Sequence, residues 1–291
     1  MSAAVASVRY VVLPVSAGSY RCSLTRNGAT LRAHAPEVAI RSLGTFRVFR
    51  DGVPVPATAW QSKKARTLLK ILIARRGRNT ARDLLMETLW PEQDPARLAN
   101  RLSVALATVR AVLDPDRRRP SGYFVAADKD SLRLDPEHLA VDVEEFLRRA
   151  HEGLALARAG RTDEAAAGLA EAEALYLGDF LEEERYEDWA ADLREEARAS
   201  YVAVARMLAE RALEAGDHDS AVGYYLRIVE KDCWDEDAHL RLVSALERAG
   251  RRGEARRRYR AYGSRMGELD LPVAPFPRVG PQRRTAALSA L

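Results

Sequence analysis

Between residues 38 and 56 apolar side chains recur at close to every second position: Val38, Ile40, Leu43, Phe46, Val48, Val53 and Val55. That period predicts strands, and Asp51-Gly52 between two such runs predicts a tight hairpin. After Trp60 the period lengthens to that of a helix. Ser62 can cap a first helix whose inner positions are Ala65, Leu68, Leu69, Leu72 and Ile73, with Gly77 ending it. Thr80, with Asp83 three residues on, reads as the cap of a second helix carrying Leu84, Leu85, Leu89 and Trp90 inward and stopped by Pro91. Asp94-Pro95 opens a third helix that runs to Leu113 and stops at Asp114-Pro115. Two short runs, Tyr123–Ala126 and Leu132–Leu134, then flank Asp128-Lys129-Asp130 as a second hairpin. Hairpin, three helices, hairpin is the order of a winged helix-turn-helix.

From residue 141 the pattern is helical with glycine punctuation. Ala215-Gly216 and Ala249-Gly250 lie 34 residues apart, as do Ala221 and Ala255, and Tyr225 and Tyr259. This period matches the paired helices of tetratricopeptide repeats; a plain helical bundle is the simpler alternative. Ala159-Gly160, followed by Ala165, resembles an earlier copy. The expected architecture is mainly α with small β-hairpins. Residues 1–36 are expected to form a poorly ordered extension with at most one strand. A winged helix at 37–140 should fold by itself, a tetratricopeptide-like helical domain fills 141–270, and 271–291 form a tail.

Projected at ~100° per residue, the third helix turns Leu98, Leu102, Ala105, Leu106, Val109 and Leu113 to one side. The opposite side holds Arg97, Asn100, Val104, Ala107, Thr108 and Ala111, with no Asp, Glu or Lys among them. Small residues allow close approach to a major groove. Arg97 and Asn100 have the donors to read guanine and adenine edges, and Val104 and Thr108 can touch thymine methyls. Arg101, Ser103 and Arg110 flank this face at positions suited to phosphates. Lys63, Lys64 and Arg66 open the first helix, where free amides and the helix dipole favour an anion. Lys129 at the wing tip is a further phosphate candidate, with the wing in the minor groove or on the backbone. The alternative is that the outer face packs on a protein.

Charge sharpens the division. The 291 residues carry a net +4, but residues 37–140 carry +7 and residues 141–270 carry −10. A basic segment followed by an acidic one implies different partners, with the polyanion on the basic side. Several classes fall away. No apolar run approaches the ~18 residues of a membrane span, and no basic start with an apolar core and cleavage site marks a signal peptide. A cytoplasmic protein is expected. Cys22 and Cys233 stand alone, and His34, His138, His151, His218 and His239 share no metal-ligand spacing. The carboxylates lack a His or Cys partner, and the elbow, HExxH and glycine-cradle motifs of enzymes are missing, so neither enzyme chemistry nor a cofactor is expected. The run Glu182-Glu183-Glu184 reads as a solvated loop or a partner-binding edge. The arginines between 248 and 260 could flank DNA, bind a polymerase subunit or face water.

The stretch Trp60-Gln61-Ser62-Lys63-Lys64-Ala65-Arg66, the turn Leu89-Trp90-Pro91 and the run from Asn100 to Pro115 together resemble the SARP family, the antibiotic regulatory proteins of actinobacteria. The resemblance covers residues 38–270. It implies an OmpR-like winged helix followed by a bacterial transcriptional activator domain. It also implies a transcriptional activator that binds double-stranded promoter DNA at direct repeats, self-associates there and contacts RNA polymerase. By the same resemblance the third helix reads the major groove, which carries over onto Arg101, Val104, Thr108 and Arg110. Two departures stand out. Some 36 residues precede the first family strand, and the GxxxxGK[ST] loop of the larger members' ATPase module is absent. A second function stays open: a helical-repeat adaptor whose winged helix binds protein rather than specific DNA.

Overall fold

The computed structural model describes residues 11–15, 19–26, 29–32 and 37–277, with side chains from residue 37 onward except at 95 and 96. The chain divides into two compact units. The first comprises residues up to 152 together with 171–199; the second comprises 153–170 and the residues from 200 on.

In the first unit, β1 (Val11–Val15), β2 (Ser19–Arg26) and β3 (Ala29–Arg32) form an antiparallel sheet in chain order. The first 36 residues therefore hold three strands, where at most one was expected. The signal is local: Asn27-Gly28 separates two strand-forming runs and is a strong two-residue hairpin pair. A second sheet has the order β10-β4-β5-β6, built from β4 (Val38–Arg41), β5 (Arg47–Arg50), β6 (Val53–Pro54) and β10 (Ala140–Val141). β10 runs parallel to β4, and the other pairs are antiparallel. Asp51 and Gly52 join β5 to β6 with φ of 49° and 78°. Positive φ at both central residues is what a type I′ turn demands, as the Asp-Gly pair foretold.

Helices α1 (Lys63–Ala74), α2 (Arg82–Leu89) and α3 (Pro95–Leu113) follow. Their apolar stripes meet in a core where Leu68, Leu69, Leu72, Leu85, Leu89, Leu102 and Val109 are fully buried. The third sheet, β7-β9-β8, is the wing: β7 (Thr80–Ala81), β8 (Val125–Ala127) and β9 (Ser131–Leu134). Two expected caps do not form. Ser62 occupies the N-cap position of α1, but its side chain makes no capping hydrogen bond. Thr80 is buried in β7 opposite Leu132, so Ala81 becomes the N-cap residue of α2. A ladder partner more than fifty residues away outcompetes the local capping box.

The expected end of the winged helix at residue 140 falls inside β10. Immediately after it, α4 (Asp142–Arg158) begins with a half-buried carboxylate. Asp142 accepts from the Ser42 amide (2.7 Å), the Ser42 hydroxyl (2.6 Å), the Leu43 amide (2.9 Å) and the Val143 amide (2.8 Å). Between α5 (Thr162–Leu175) and α6 (Ala191–Glu214), the chain returns to the β4–β5 turn. Leu43 bridges to Phe180, the Gly44 amide donates to the Asp179 carbonyl, and the Leu181 amide donates to the Ser42 carbonyl. Arg194 fastens this return by donating to the Phe180, Glu184 and Arg185 carbonyls.

The second unit is a helical repeat completed by α7 (His218–Lys231), α8 (Glu236–Arg248) and α9 (Arg252–Glu268). Gly160, Gly216 and Gly250 all have φ near +76° and end their helices in the left-handed conformation that glycine tolerates best. This confirms the three Ala-Gly turns, including the irregular first copy. Ala165, Ala221 and Ala255 are buried at equivalent positions, where a small side chain lets helices pack closely. Asp217 and Asp235 cap α7 and α8 through the Ser220 and Ala238 amides. Part of the expected tail belongs to this unit. The Tyr259 hydroxyl donates to the Ala274 carbonyl (2.8 Å), the Ala274 amide donates to the Tyr262 hydroxyl (2.9 Å), and Phe276 packs edge-on against Tyr259.

Candidate nucleic-acid interface

α3 divides as its sequence pattern requires. Leu98, Leu102, Ala105, Leu106, Val109, Val112 and Leu113 are buried, and Arg97, Asn100, Arg101, Ser103, Val104, Ala107 and Ala111 are exposed. Thr108 is half-buried. Val104 leaves 58% of its surface in water, a large exposure for a β-branched apolar residue on a helix with a formed core. Thr108 donates its hydroxyl to the Val104 carbonyl (3.0 Å), and Ser103 donates to the Ala99 carbonyl (2.9 Å). Both hydroxyl protons are thus used along the helix, which leaves the Thr108 methyl and oxygen lone pairs for an outside partner. The outward face keeps the composition read from sequence, with two polar readers amid small residues and no carboxylate.

The flanking cations differ from one another. Arg97, Lys63, Lys64 and Lys129 are exposed, and no partner holds their side chains among the described residues. Arg101 hydrogen-bonds Gln93 in the turn before α3. Arg110 is half-buried and donates to the Val125 carbonyl in the wing (2.8 Å). Burial and the neighbouring Arg82 push its guanidinium below the ordinary arginine value. Arg110 therefore clamps α3 to β8 and is not a free phosphate ligand. Arg66 is also committed: it lies over the Phe46 ring and donates to the Phe46 carbonyl (3.2 Å) and to Glu183 (3.4 Å).

The wing tip is ordered by Asp128. Its carboxylate accepts from the Asp130 amide (2.8 Å), the Ser131 amide (2.6 Å) and the Ser131 hydroxyl (2.9 Å). The Asp130 amide bond, with the two from Ser131, holds that carboxyl below the usual carboxylate range. Lys129 stands at the apex between two aspartates, so the tip as a whole is not cationic. Arg82 ties this tip to the start of α2 through the Asp128 and Asp130 carbonyls. Beside the C-terminal half of α3, an open cleft of about 410 Å³ is lined by Ala107, Ala111, Arg110, Arg117, Arg119 and Phe124, among others. Arg119 is paired with Glu37 (2.9 Å), and the Arg118 and Arg119 amides hold Asp114.

One polar network was invisible to local pattern. Lys70 is 2% exposed and pairs with Glu184 (2.6 Å) and Glu183 (3.1 Å). Glu183 also accepts from the Phe46 amide. Two of the three glutamates expected to be solvated or to face a partner, Glu183 and Glu184, pair with Lys70 within the first unit while part of each side chain stays in water. Lys70 stands in an apolar run, Leu68-Leu69-Lys70-Ile71-Leu72-Ile73, unlike Lys63 and Lys64, but nothing in that window names glutamates more than a hundred residues away as its partners.

The chain joins a winged helix to a helical-repeat domain, and this arrangement is similar to that of known transcriptional regulators. Residues 141–278 match the family model of the bacterial transcriptional activator domain. The transcriptional regulatory protein EmbR of Mycobacterium tuberculosis, and that of Mycobacterium bovis, are 24% identical over 239 residues, covering 81% of this chain. The chain spans about three-fifths of the length of these curated relatives, 59%. A solved structure of Mycobacterium tuberculosis EmbR in complex with a low affinity phosphopeptide shares the fold. Its TM-score is 0.68 over 82% of this chain and 62% of that one, at 21% identity. Residues 141–278 thus resemble a bacterial transcriptional activator domain, and the chain as a whole is similar to these transcriptional regulatory proteins. Among the described residues no helix is long and apolar enough to cross a membrane, and no cluster of His, Cys, Asp or Glu could hold a metal ion.

Proposed function

We propose that the chain is a transcriptional activator that reads promoter DNA through α3 and recruits RNA polymerase. One observation carries the reading: the outward face of α3 has no carboxylate and exposes Val104 between Arg97, Asn100 and Thr108. A helix kept soluble by water alone has no use for such a face, whereas a major groove accepts small residues and rewards donors to base edges. Arg97, Asn100, Val104 and Thr108 are the base readers, with Arg101 moving from Gln93 to join them. Lys63, Lys64 and, with a turned hydroxyl, Ser103 are the phosphate ligands. Arg66 and Arg110 shape the surface, and Lys129 adds little because Asp128 and Asp130 flank it. A cytoplasmic location and side-by-side binding at direct repeats follow from this role.

The test is a mobility shift of the full chain against the DNA upstream of its own coding sequence, with competitor DNA. Retarded complexes that survive a large excess of random duplex support the reading. No discrimination between the two DNAs would favour the adaptor, in which the α3 face binds protein.

A further inference from the structure

The −10 of residues 141–270 is unevenly spread: it lies wholly within 141–199, and residues 200–270 are neutral overall. Within that neutral stretch α9 carries six arginines and two glutamates. Ala255, Tyr262 and Met266 are its buried residues. At ~100° per residue, Arg252, Arg256, Arg260 and Arg257 fall together on the outward arc, interleaved with Gly253, Gly263, Gly267 and Ser264. All four arginines are exposed. The first three repeat every fourth residue, about 6 Å apart along the axis.

These arginines differ from five others of the second unit. Arg206 pairs with Asp235 and Asp237, Arg211 with Asp163, Arg241 with Asp237, Arg251 with Glu254 and Asp219, and Arg265 with Glu268. Among the described residues, Arg252, Arg256, Arg257 and Arg260 have no ion pair. A solvent-facing helix of a repeat array needs a polar outer face, but mixed charges would supply it without the mutual repulsion of like charges. The arc also lacks the apolar or aromatic anchor on which protein interfaces depend. A straight row of unneutralised guanidinium groups with glycine and serine between them fits a backbone of regularly spaced phosphates.

We propose that the outward face of α9 is a second, sequence-independent nucleic-acid surface that grips the phosphates of duplex DNA through Arg252, Arg256 and Arg260, with Arg257 beside them. This rests on the reading of the chain as a DNA-binding regulator and gives its repeat domain a direct part in binding.

The experiment measures binding of the full chain to a random-sequence duplex by fluorescence anisotropy across a salt series. It compares the unaltered protein, the triple variant Arg252→Gln/Arg256→Gln/Arg260→Gln, the matching triple Arg→Lys variant and Lys64→Ala. With ~0.9 counterion released per phosphate contact, the Gln variant should lower the log–log salt slope by about 2.7 and weaken binding at least about tenfold at low salt. The Lys variant should stay close to the unaltered protein, and far-UV dichroism and Tm should be unchanged in all. A salt slope that the Gln variant leaves intact, while Lys64→Ala lowers it, overturns the α9 surface and leaves the α3 reading standing. No salt-dependent binding by the unaltered protein overturns both. An intact slope with loss of activated transcription would give the face to an acidic protein and overturn the proposal as well.

Discussion

At the scale of single residues, exposed and committed side chains make different predictions. On the proposed reading of α3, Thr108→Ala and Val104→Ala should each cost about 1–3 kcal/mol on the cognate site and much less on random duplex, the loss expected of base-edge contacts. Lys64→Ala should weaken both about equally and lower the salt slope by about one unit. Equal losses on both DNAs for Thr108 and Val104 would remove them from the reading face. Asp142 is the sharpest structural case. Asp142→Ala strands the Ser42 and Leu43 donors in a buried site and should destabilise by about 3 kcal/mol in urea unfolding. Burial outweighs its four hydrogen bonds and holds its carboxyl above the ordinary carboxylate range. The folded protein then keeps a proton that the unfolded chain has released. The stability contributed by this group is therefore full below the unfolded value of about 4 and declines as pH rises through the raised folded value. Measured against Asp142→Asn, the advantage of the natural residue should shrink with rising pH; an advantage that grows would mean that its hydrogen bonds dominate instead.

At the scale of elements, what matters is which segments complete the winged helix. A fragment 37–140 cuts β10, removes Asp142 and discards the 178–184 return that buries Phe180 against the β4–β5 turn. It should melt at a clearly lower temperature than a fragment 37–199, which keeps all of these. Equal Tm values for the two would show that the later residues only decorate the domain. Lys70→Met tests the same return from inside. It leaves Glu183 and Glu184 without their buried cation, yet both glutamates keep about a quarter to a third of their side chains in water (32% and 24%). The loss should therefore be about 1–3 kcal/mol, below that of a fully buried pair broken on one side. The hairpin at Asp51-Gly52 is the opposite kind of element, one set by two residues. Gly52→Val places a β-branched side chain at φ of 78° and should cost about 1–2 kcal/mol.

At the scale of the whole molecule, the charge map separates tasks. Removing residues 200–291 deletes most of α6 together with α7, α8 and α9 but spares the α3 face. Such a truncation should still shift promoter DNA, with a reduced salt slope, and should fail to activate transcription by purified polymerase. Full activation by the truncated protein would move the polymerase contact into the first unit.

Much of this was legible in sequence because it is written in local periods. The three helices of the winged helix, both hairpins, the glycine turns of the repeat and the bare outer face of α3 each follow from residues within one or two turns of one another. The exposure of the candidate residues was legible to the same extent: Arg97, Asn100 and Val104 stand exposed where the helical projection put them, and Lys63 and Lys64 stand exposed at the start of α1. The tertiary structure alone decided the rest. Thr80 left its cap for a strand because Leu132 lay ready to pair with it. Arg66 and Arg110 were withdrawn from the phosphate set by Glu183 and the Val125 carbonyl, and Lys70 sank against glutamates more than a hundred residues on. A charged or polar side chain carries the same local signature whether water or a distant partner satisfies it. Only the return of the chain, which buries the partner beside it, settles which one does.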